Sequence, residues 1–251
     1  MHPDIISPSY RVENLTADAK RTTLNIGAGN QAIRGNGIIN ADFFPGKNID
    51  VVFDATKPWP IKENSITTIV AIHVLEHLND FWGFFRECWR ALDPVAGRLY
   101  LALPNSACDS GLGDVTHVQQ WNAIRFCFLQ PGFNQASHNP QHNSWEFPFR
   151  VEIIMERVNG QLRWFCRFPL WNLIGKRIIA FLYNGIVELK VQLKPLKLKE
   201  DLDHFMATDH GNMVPTAHFV YEHEMRGKAL KPGEPTKAKW LDHWAKGFKY
   251  E

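Results

Sequence analysis

Three short apolar runs inside Thr22–Asp54, TTLNIGAGNQAIRGNGIINADFFPGKNIDVVFD, constrain this chain more than any other stretch. Thr22–Ile26 is β-branched and apolar, the pattern of a buried strand, and it ends in Gly27-Ala28-Gly29-Asn30. Two glycines at that spacing let the backbone turn sharply and approach a ligand with no Cβ in the way. Gly37–Ala41 is a second run, closed by Asp42, and Ile49–Phe53 a third, closed by Asp54. Parallel α/β sheets hold nucleosides outside the carboxyl ends of their strands. There one carboxylate can accept both ribose hydroxyls while the next reaches the adenine amino group. The gap from Gly29 to Asp42 is shorter than the roughly 20 residues of a dinucleotide site. It leaves room for only a turn of helix and argues against NAD.

The following elements extend the same pattern. Thr56–Ser65 is a proline-containing loop, and Ile66–Ile72 (ITTIVAI) is apolar enough to be a central strand buried on both faces. Asp80–Ala91 predicts a helix with Asp80 as N-cap. Phe81, Phe84, Phe85, Cys88 and Trp89 fall on one helical face, a stripe better suited to packing on a sheet than to binding. Asp93-Pro94 and Gly97 make a turn, and Arg98–Leu103 is a fifth strand closing at Pro104-Asn105.

LNIGAGN, then INADFF, then DVVFDATKPWPIKENSITTIVAIHVLEHL resembles the class I S-adenosylmethionine-dependent methyltransferases. The resemblance is strongest to a type 11-like branch with a shortened first helix, met among sugar- and polysaccharide-modifying enzymes. It covers roughly residues 20 to 130 and thins afterwards. It implies an α/β Rossmann-like sheet, mostly parallel with an antiparallel last strand, and S-adenosylmethionine as cofactor. It implies that the glycine loop holds the methionine part, that Asp42 binds ribose and that Asp54 lies beside adenine. On that reading Asn25, Gly27, Ala28, Gly29, Asp42, Phe43, Asp54, Ala55 and His73 surround the cofactor. Two features depart from the family. Asn25 stands where an acid is usual, although an amide still orients the loop by hydrogen bonds. The first helix is also nearly absent.

His73-Val74-Leu75-Glu76-His77 matches an inverted zinc-protease pattern, H-x-x-E-H. Zinc ligation by that pattern needs both histidines on one helical face. A β-branched run leads straight into it, which puts His73 at a strand end and His77 in the next loop or helix start, so no metal is expected from it. Amino-directed DNA methyltransferases carry a D/N-P-P-Y type sequence where HVLEH stands. No Pro-Cys nucleophile for cytosine-C5 chemistry is present either. Gly111–Asn122 resembles a D-P-T-H-x-R segment of the family, with Val115 in place of the proline and Gln119 in place of the arginine. Asp114, Thr116 and His117 remain. The resemblance makes His117, with His73, a catalytic candidate, His117 as the acceptor of the nucleophile's proton. The alternative is that Asp114 or Thr116 caps a helix beginning near Gln120 while His117 only packs.

Composition bounds the rest. The 251 residues, 45% hydrophobic and 22% charged with a formal net charge of +2, suit a globular chain with a sizeable core and make no global case for nucleic acid. Cys88, Cys108, Cys127 and Cys166 form no C-x-x-C pair, which fits a reducing compartment. Without a secretory pattern at its start, the chain is expected in the cytoplasm. Pro131–Ser144, with His138 and His142, reads as a substrate loop. Glu146–Val158 and Gly185–Leu196 read as strands flanking an amphipathic Trp164–Tyr183 segment. Arg150–Lys199 carries ten Lys/Arg against three Glu, an anionic-substrate or nucleic-acid face or merely a solvated edge. The expected division is a methyltransferase domain over 1–196 and an extension over 197–251. In the extension His204, Asp209, His210, His218, Glu222 and His223 fit no metal pattern, and Ala238–Phe248 reads as a final helix. The acceptor is expected to be a small molecule or saccharide, methylated on oxygen or nitrogen. The alternatives are a silent cofactor-binding scaffold and a nucleic-acid-modifying enzyme using residues 150–199.

Overall fold

The computed structural model describes residues 23–30, 32, 33, 35, 37–131, 146–159, 182–208 and 218–221. The apolar runs become strands β1 (Thr23–Ile26), β2 (Ile38–Asp42), β3 (Val51–Val52), β4 (Thr68–Ile72) and β5 (Arg98–Pro104). After them come β6 (Phe149–Val158), β7 (Ile186–Pro195) and β8 (His218–Tyr221), in one sheet ordered β3-β2-β1-β4-β5-β7-β6-β8. β1 lies in parallel between β2 and β4, with Leu24 facing Ile39 on one side and Ile69 on the other. Leu24, Ile39 and Ile69 are all buried, as runs covered on both faces require. The chain winds outward from β1 to β3, then crosses back to start β4 on the other side. The order therefore reverses between β1 and β4, the kind of crevice where open α/β sheets bind ligands.

Helix α1 (Phe81–Ala91) follows β4 through a 3-10 turn at Leu75–His77. Asp80 caps α1, its carboxylate accepting Gly83 N–H at 2.8 Å. Phe84, Phe85 and Cys88 are fully buried against the sheet, while Phe81 and Trp89 are partly covered, so the aromatic stripe is core. Two short helices come next, α2 (Asp109–Leu112) and α3 (Ala123–Cys127). α3 is capped by the Asn122 side chain, which accepts Arg125 N–H at 3.1 Å. That overturns a capping role for Asp114 or Thr116, which lie too far upstream and bond within their own turn instead.

β7 runs antiparallel to both β5 and β6, matching Pro104 with Glu188 and Arg157 with Glu188. The start of β7 and the end of β6 therefore meet the carboxyl ends of β1, β2, β4 and β5 on one edge of the sheet. Residues beyond 196 add α4 (Lys199–Thr208) and β8, which pairs in parallel with β6. Among the described residues no helix is long and apolar enough to cross a membrane. The readings at 1–20, His138, His142, 164–181, Asp209, His210, Glu222, His223 and 238–248 lie outside the described residues.

Several cations of the basic stretch are engaged by the fold. Arg157 pairs with Glu188 at 3.1 Å and Lys194 with Asp201 at 2.7 Å. Lys197 donates to the Arg90 and Leu92 carbonyls at the end of α1, at 3.0 and 2.7 Å. Lys190 is 6% exposed and lies 3.7 Å from Glu188. These four cations are therefore tied into the fold rather than displayed as a positive face.

Candidate active site

The glycine turn after β1 is shaped by backbone and neighbours together. Gly27 and Gly29 have φ of +68° and +45°, the left-handed region that glycine enters without a Cβ penalty. A Cβ on Gly27 would sit 2.3 Å from Val74 Cγ2, so the turn also packs directly on the residue after His73. Ala28 is buried, its N–H donating to Ala41 O at 3.1 Å. Gly29 N–H donates to Asp42 Oδ2 at 2.8 Å, and Phe44 N–H to Asp42 Oδ1 at 3.0 Å. Asp42 is thereby fixed at the end of β2 with each oxygen held by one backbone donor. A carboxylate oxygen accepts more than one hydrogen bond, so both keep acceptor capacity toward the crevice.

Asn25 faces inward. It is 4% exposed and donates to Asn40 Oδ1 at 3.0 Å. Asn40 in turn accepts Ile33 N–H at 2.9 Å and donates to Ile33 O at 3.0 Å. The amide pair thus secures the loop that replaces the missing first helix. Asp54, at the end of the third run, accepts Thr56 N–H and Oγ1–H on Oδ1 at 2.8 and 2.7 Å. Ala55 packs on the core, and its carbonyl accepts Trp59 Nε1–H at 3.0 Å. Phe43 remains 54% exposed in an edge-to-face pair with Phe44, and so offers an uncovered ring beside Asp42.

His73 ends β4 in a strained backbone conformation, φ +53°, its N–H donating to Ala102 O at 2.8 Å. Its Nδ1 lies 3.1 Å from Glu76 Oε1 and its Nε2 3.4 Å from Glu188 Oε1. The hydrogen bond to Glu188 and then that to Glu76 outweigh partial burial and raise its pKa to about 9. His73 is therefore an imidazolium at neutral pH, a donor clamped between two carboxylates. It is not poised to accept a proton. His77 does not share a helix with it: the backbone turns at Val74, and only Leu75–His77 is helical. The geometry of an inverted zinc-protease motif is absent from this segment.

The turn Asp114–His117 folds back onto these residues. Val118 and Gln119 N–H donate to Glu76 O at 2.9 and 3.0 Å. Thr116 O and His77 Nδ1 are 3.2 Å apart, and the His77 and His117 rings meet edge to face at 4.8 Å. The His117 side chain is 8% exposed, with Nδ1 3.3 Å from Gly111 O. Hydrogen bonds from Thr116 hold the exposed Asp114 carboxyl below its ordinary range. Glu76, Glu188 and Arg157 belong to this edge; the sequence showed Glu76 only as the acid of the H-x-x-E-H pattern and the other two only among the charges of 150–199. No pattern signals that the three meet; Glu188 and Arg157 show in the sequence only as charges within otherwise apolar strands.

Strand order, glycine turn and strand-end carboxylates agree with a comparison of sequences: residues 27–101 of the 251 match the family model described as Methyltransferase domain. Both glycines, Asp42, Asp54, His73 and Glu76 lie inside the match, and His117 lies beyond it. No curated protein sequence matches the chain. Among solved structures, the trans-methyltransferase CalH complexed with SAH is similar at 16% identity and TM-score 0.29, over 34% of this chain and 32% of that one. Phosphoethanolamine N-methyltransferase 2 of Haemonchus contortus, with S-adenosyl-L-methionine, is similar at 12% identity and TM-score 0.38, over 73% and 51%. An S-adenosylmethionine-dependent methyltransferase of Mesorhizobium loti is similar at 11% and TM-score 0.41, over 68% and 89%. This chain thus spans about a third and about half of the first two.

Proposed function

We propose that the chain is an S-adenosylmethionine-dependent methyltransferase whose domain binds the cofactor across the ends of β1, β2 and β4. The observation that carries this is the Asp42 carboxylate, held by Gly29 and Phe44 N–H beside a left-handed glycine turn. A nucleoside diol meets there two carboxylate oxygens already oriented, and the glycine turn offers a wall without side chains. Asp54 stands one strand further out, suited to the adenine side. Gly27, Ala28 and Gly29 form the floor for the amino-acid part, and Asn25 supports that floor through Asn40. When bound, the cofactor supplies the activated methyl, so the protein's contribution is alignment and management of the acceptor's proton.

The acceptor side of this reading is the edge where β4 and β5 end. His73, as a cation, orients Glu76 and Glu188 rather than taking a proton. At His117 a donated Nδ1–H to Gly111 O leaves the Nε2 lone pair for an acceptor hydroxyl or amine. A small-molecule or saccharide acceptor, modified on oxygen or nitrogen, fits a site built on loops at a sheet edge. Arg157, Lys194 and Lys197 of the 150–199 stretch are bound to carboxylates and carbonyls, which favours this acceptor class over nucleic acid. Calorimetry of the folded protein should show binding of S-adenosylmethionine and S-adenosylhomocysteine and none of NAD. Asp42→Ala should weaken cofactor binding by about 1.5–3 kcal/mol, the scale of a hydrogen bond to a charged group. Absence of binding by the folded wild type would refute the reading. Cofactor binding without methyl transfer to any oxygen or nitrogen acceptor would identify the silent scaffold instead.

A further inference from the structure

Glu76, His77 and His117 come together from two segments far apart in sequence, with one potential ligand atom of each within 4.8 Å of the others. We propose that these three side chains bind a divalent first-row transition metal ion at the β4–β5 edge. The site does not use the His73–His77 pair of the sequence pattern. It combines the end of that segment with the turn after β5.

Four features of the three residues support the assignment. The Glu76 side chain is 2% exposed, and its Oε2 has no hydrogen-bond partner, although an ionised carboxylate oxygen out of water is costly to leave unmatched. Its other oxygen, Oε1, is occupied by His73 at 3.1 Å, which leaves Oε2 as the one to be compensated. Each histidine is already oriented by a backbone carbonyl at Nδ1, Thr116 O at 3.2 Å for His77 and Gly111 O at 3.3 Å for His117. A carbonyl only accepts, so a hydrogen bond to it puts the proton on Nδ1 and leaves the Nε2 lone pair for a ligand; Thr116 Oγ1, which donates to Asp114, also lies 3.3 Å from His77 Nδ1. Metal-binding imidazoles are commonly fixed in this way, with the non-ligating N–H held by an outer partner.

The donor set indicates the kind of ion. Two neutral imidazoles and one carboxylate suit zinc, iron(II), cobalt(II) or manganese(II) better than calcium or magnesium, which prefer oxygen. Three protein ligands leave positions for water or an acceptor oxygen, the arrangement of reactive rather than purely structural sites. Asp114 Oδ2, 3.7 Å from His117 Nε2 and 47% exposed, stands at the rim. It can supply a further ligand or an outer-sphere contact. The lone pair on His117 that would take a proton is the one that would bind the ion. In the metal-free protein that lone pair stays available to an acceptor; with an ion bound it becomes a ligand, since ligand atoms of Glu76 and His77 lie within 4.8 Å of one on His117.

The test uses tag-free protein, freed of metal by chelation and titrated with cobalt(II), whose visible absorption reports coordination directly, followed by zinc competition. One cobalt per chain is expected, displaced by zinc. His77→Ala and His117→Ala should each weaken uptake about 100-fold or more. His73→Ala, which removes the outer partner of Glu76 and also its contact with Glu188, should cost about 10–100-fold. Glu76→Gln keeps the side-chain shape and should behave as the histidine variants do. His77 is exposed on a short turn, so its variant is the one to rely on if the buried replacement does not fold. His204→Ala, on the outer side of α4, should bind as wild type. Failure of the folded wild type to take up cobalt stoichiometrically would overturn the proposal, and so would wild-type affinity in either His77→Ala or His117→Ala. Cofactor calorimetry on the same samples separates this site from the methyltransferase reading. Metal uptake without S-adenosylmethionine binding would leave the site standing and remove that reading alone.

Discussion

Gly27 concentrates two demands at one position, a left-handed backbone and contact with Val74. An alanine there would carry a Cβ at φ +68° and would press on Val74 Cγ2 at 2.3 Å. The backbone part alone costs about 1–3 kcal/mol. Gly27→Ala should therefore lower the urea midpoint by at least that scale and weaken cofactor binding by displacing the turn. Adding Val74→Ala should relieve the collision and leave the backbone cost, so the double variant should recover only part of the loss. Full recovery would mean that φ is not constrained at Gly27. The glycine turn and its two aspartates were legible in the sequence because they depend on local chemistry: positive φ needs glycine, and a strand-end acid follows directly on its own strand. The buried partner of Asn25 was not legible, since Asn40 reaches it only across the β1–β2 pairing. His117 was legible as a residue but not in its setting, because its contact with His77 depends on how the turn after β5 folds back over β4.

At the scale of elements, α1 and the loop after β3 are joined through one buried acid. Glu87 accepts Trp59 N–H at 2.7 Å and is gripped by Arg90, whose Nη2 lies 2.7 Å away. Burial pushes the Glu87 carboxyl up, but the hydrogen bonds from Arg90 and Trp59 prevail and hold it below the ordinary 4.5. A carboxyl depressed in the folded state contributes stability that is present above its unfolded pKa and is lost as pH falls through the folded value. Glu87→Gln keeps the shape and removes the charge. It should be less stable than wild type near about pH 7, and the difference should shrink on acidification below about pH 4. Denaturant midpoints across that range check it, and a gap that widens in acid would reverse the assigned sign. The sequence revealed α1 through its cap and apolar stripe, both local. The third strand was overread: five residues were expected, yet only Val51 and Val52 pair, since at the sheet edge β2 offers them just Ala41 and Asp42. β8 went unseen in a tail with no periodic signal, because a four-residue edge strand is fixed by its neighbour β6 rather than by its own pattern.

For the whole molecule, the two halves of the sheet are linked by charge as well as by backbone ladders. Glu188 on β7 gathers His73 from the end of β4, Arg157 from β6 and Lys190 from its own strand, at 3.4, 3.1 and 3.7 Å. The antiparallel insertion of β7 makes this possible, because it brings the start of that strand to the edge where the parallel strands end. No sequence pattern announces a contact between residues 73 and 188. Burial works against the ionised Glu188, but His73, Arg157 and Lys190 hold its carboxyl below the ordinary range. Glu188→Gln would leave three cations around a neutral amide. Stripping one partner from a fully buried pair costs about 3–5 kcal/mol. The His73 and Arg157 side chains are 46% and 40% exposed, so water screens much of that cost. A loss of about 1–3 kcal/mol is expected, read as a lower denaturant midpoint with unchanged slope. Glu188 itself sits on β7, separated from β1 and its glycine turn by β4 and β5, so affinity for S-adenosylmethionine should stay close to wild type. A variant of wild-type stability would show that the charge cluster only decorates the strand ends. A large fall in cofactor affinity with stability intact would instead place Glu188 in the binding site itself.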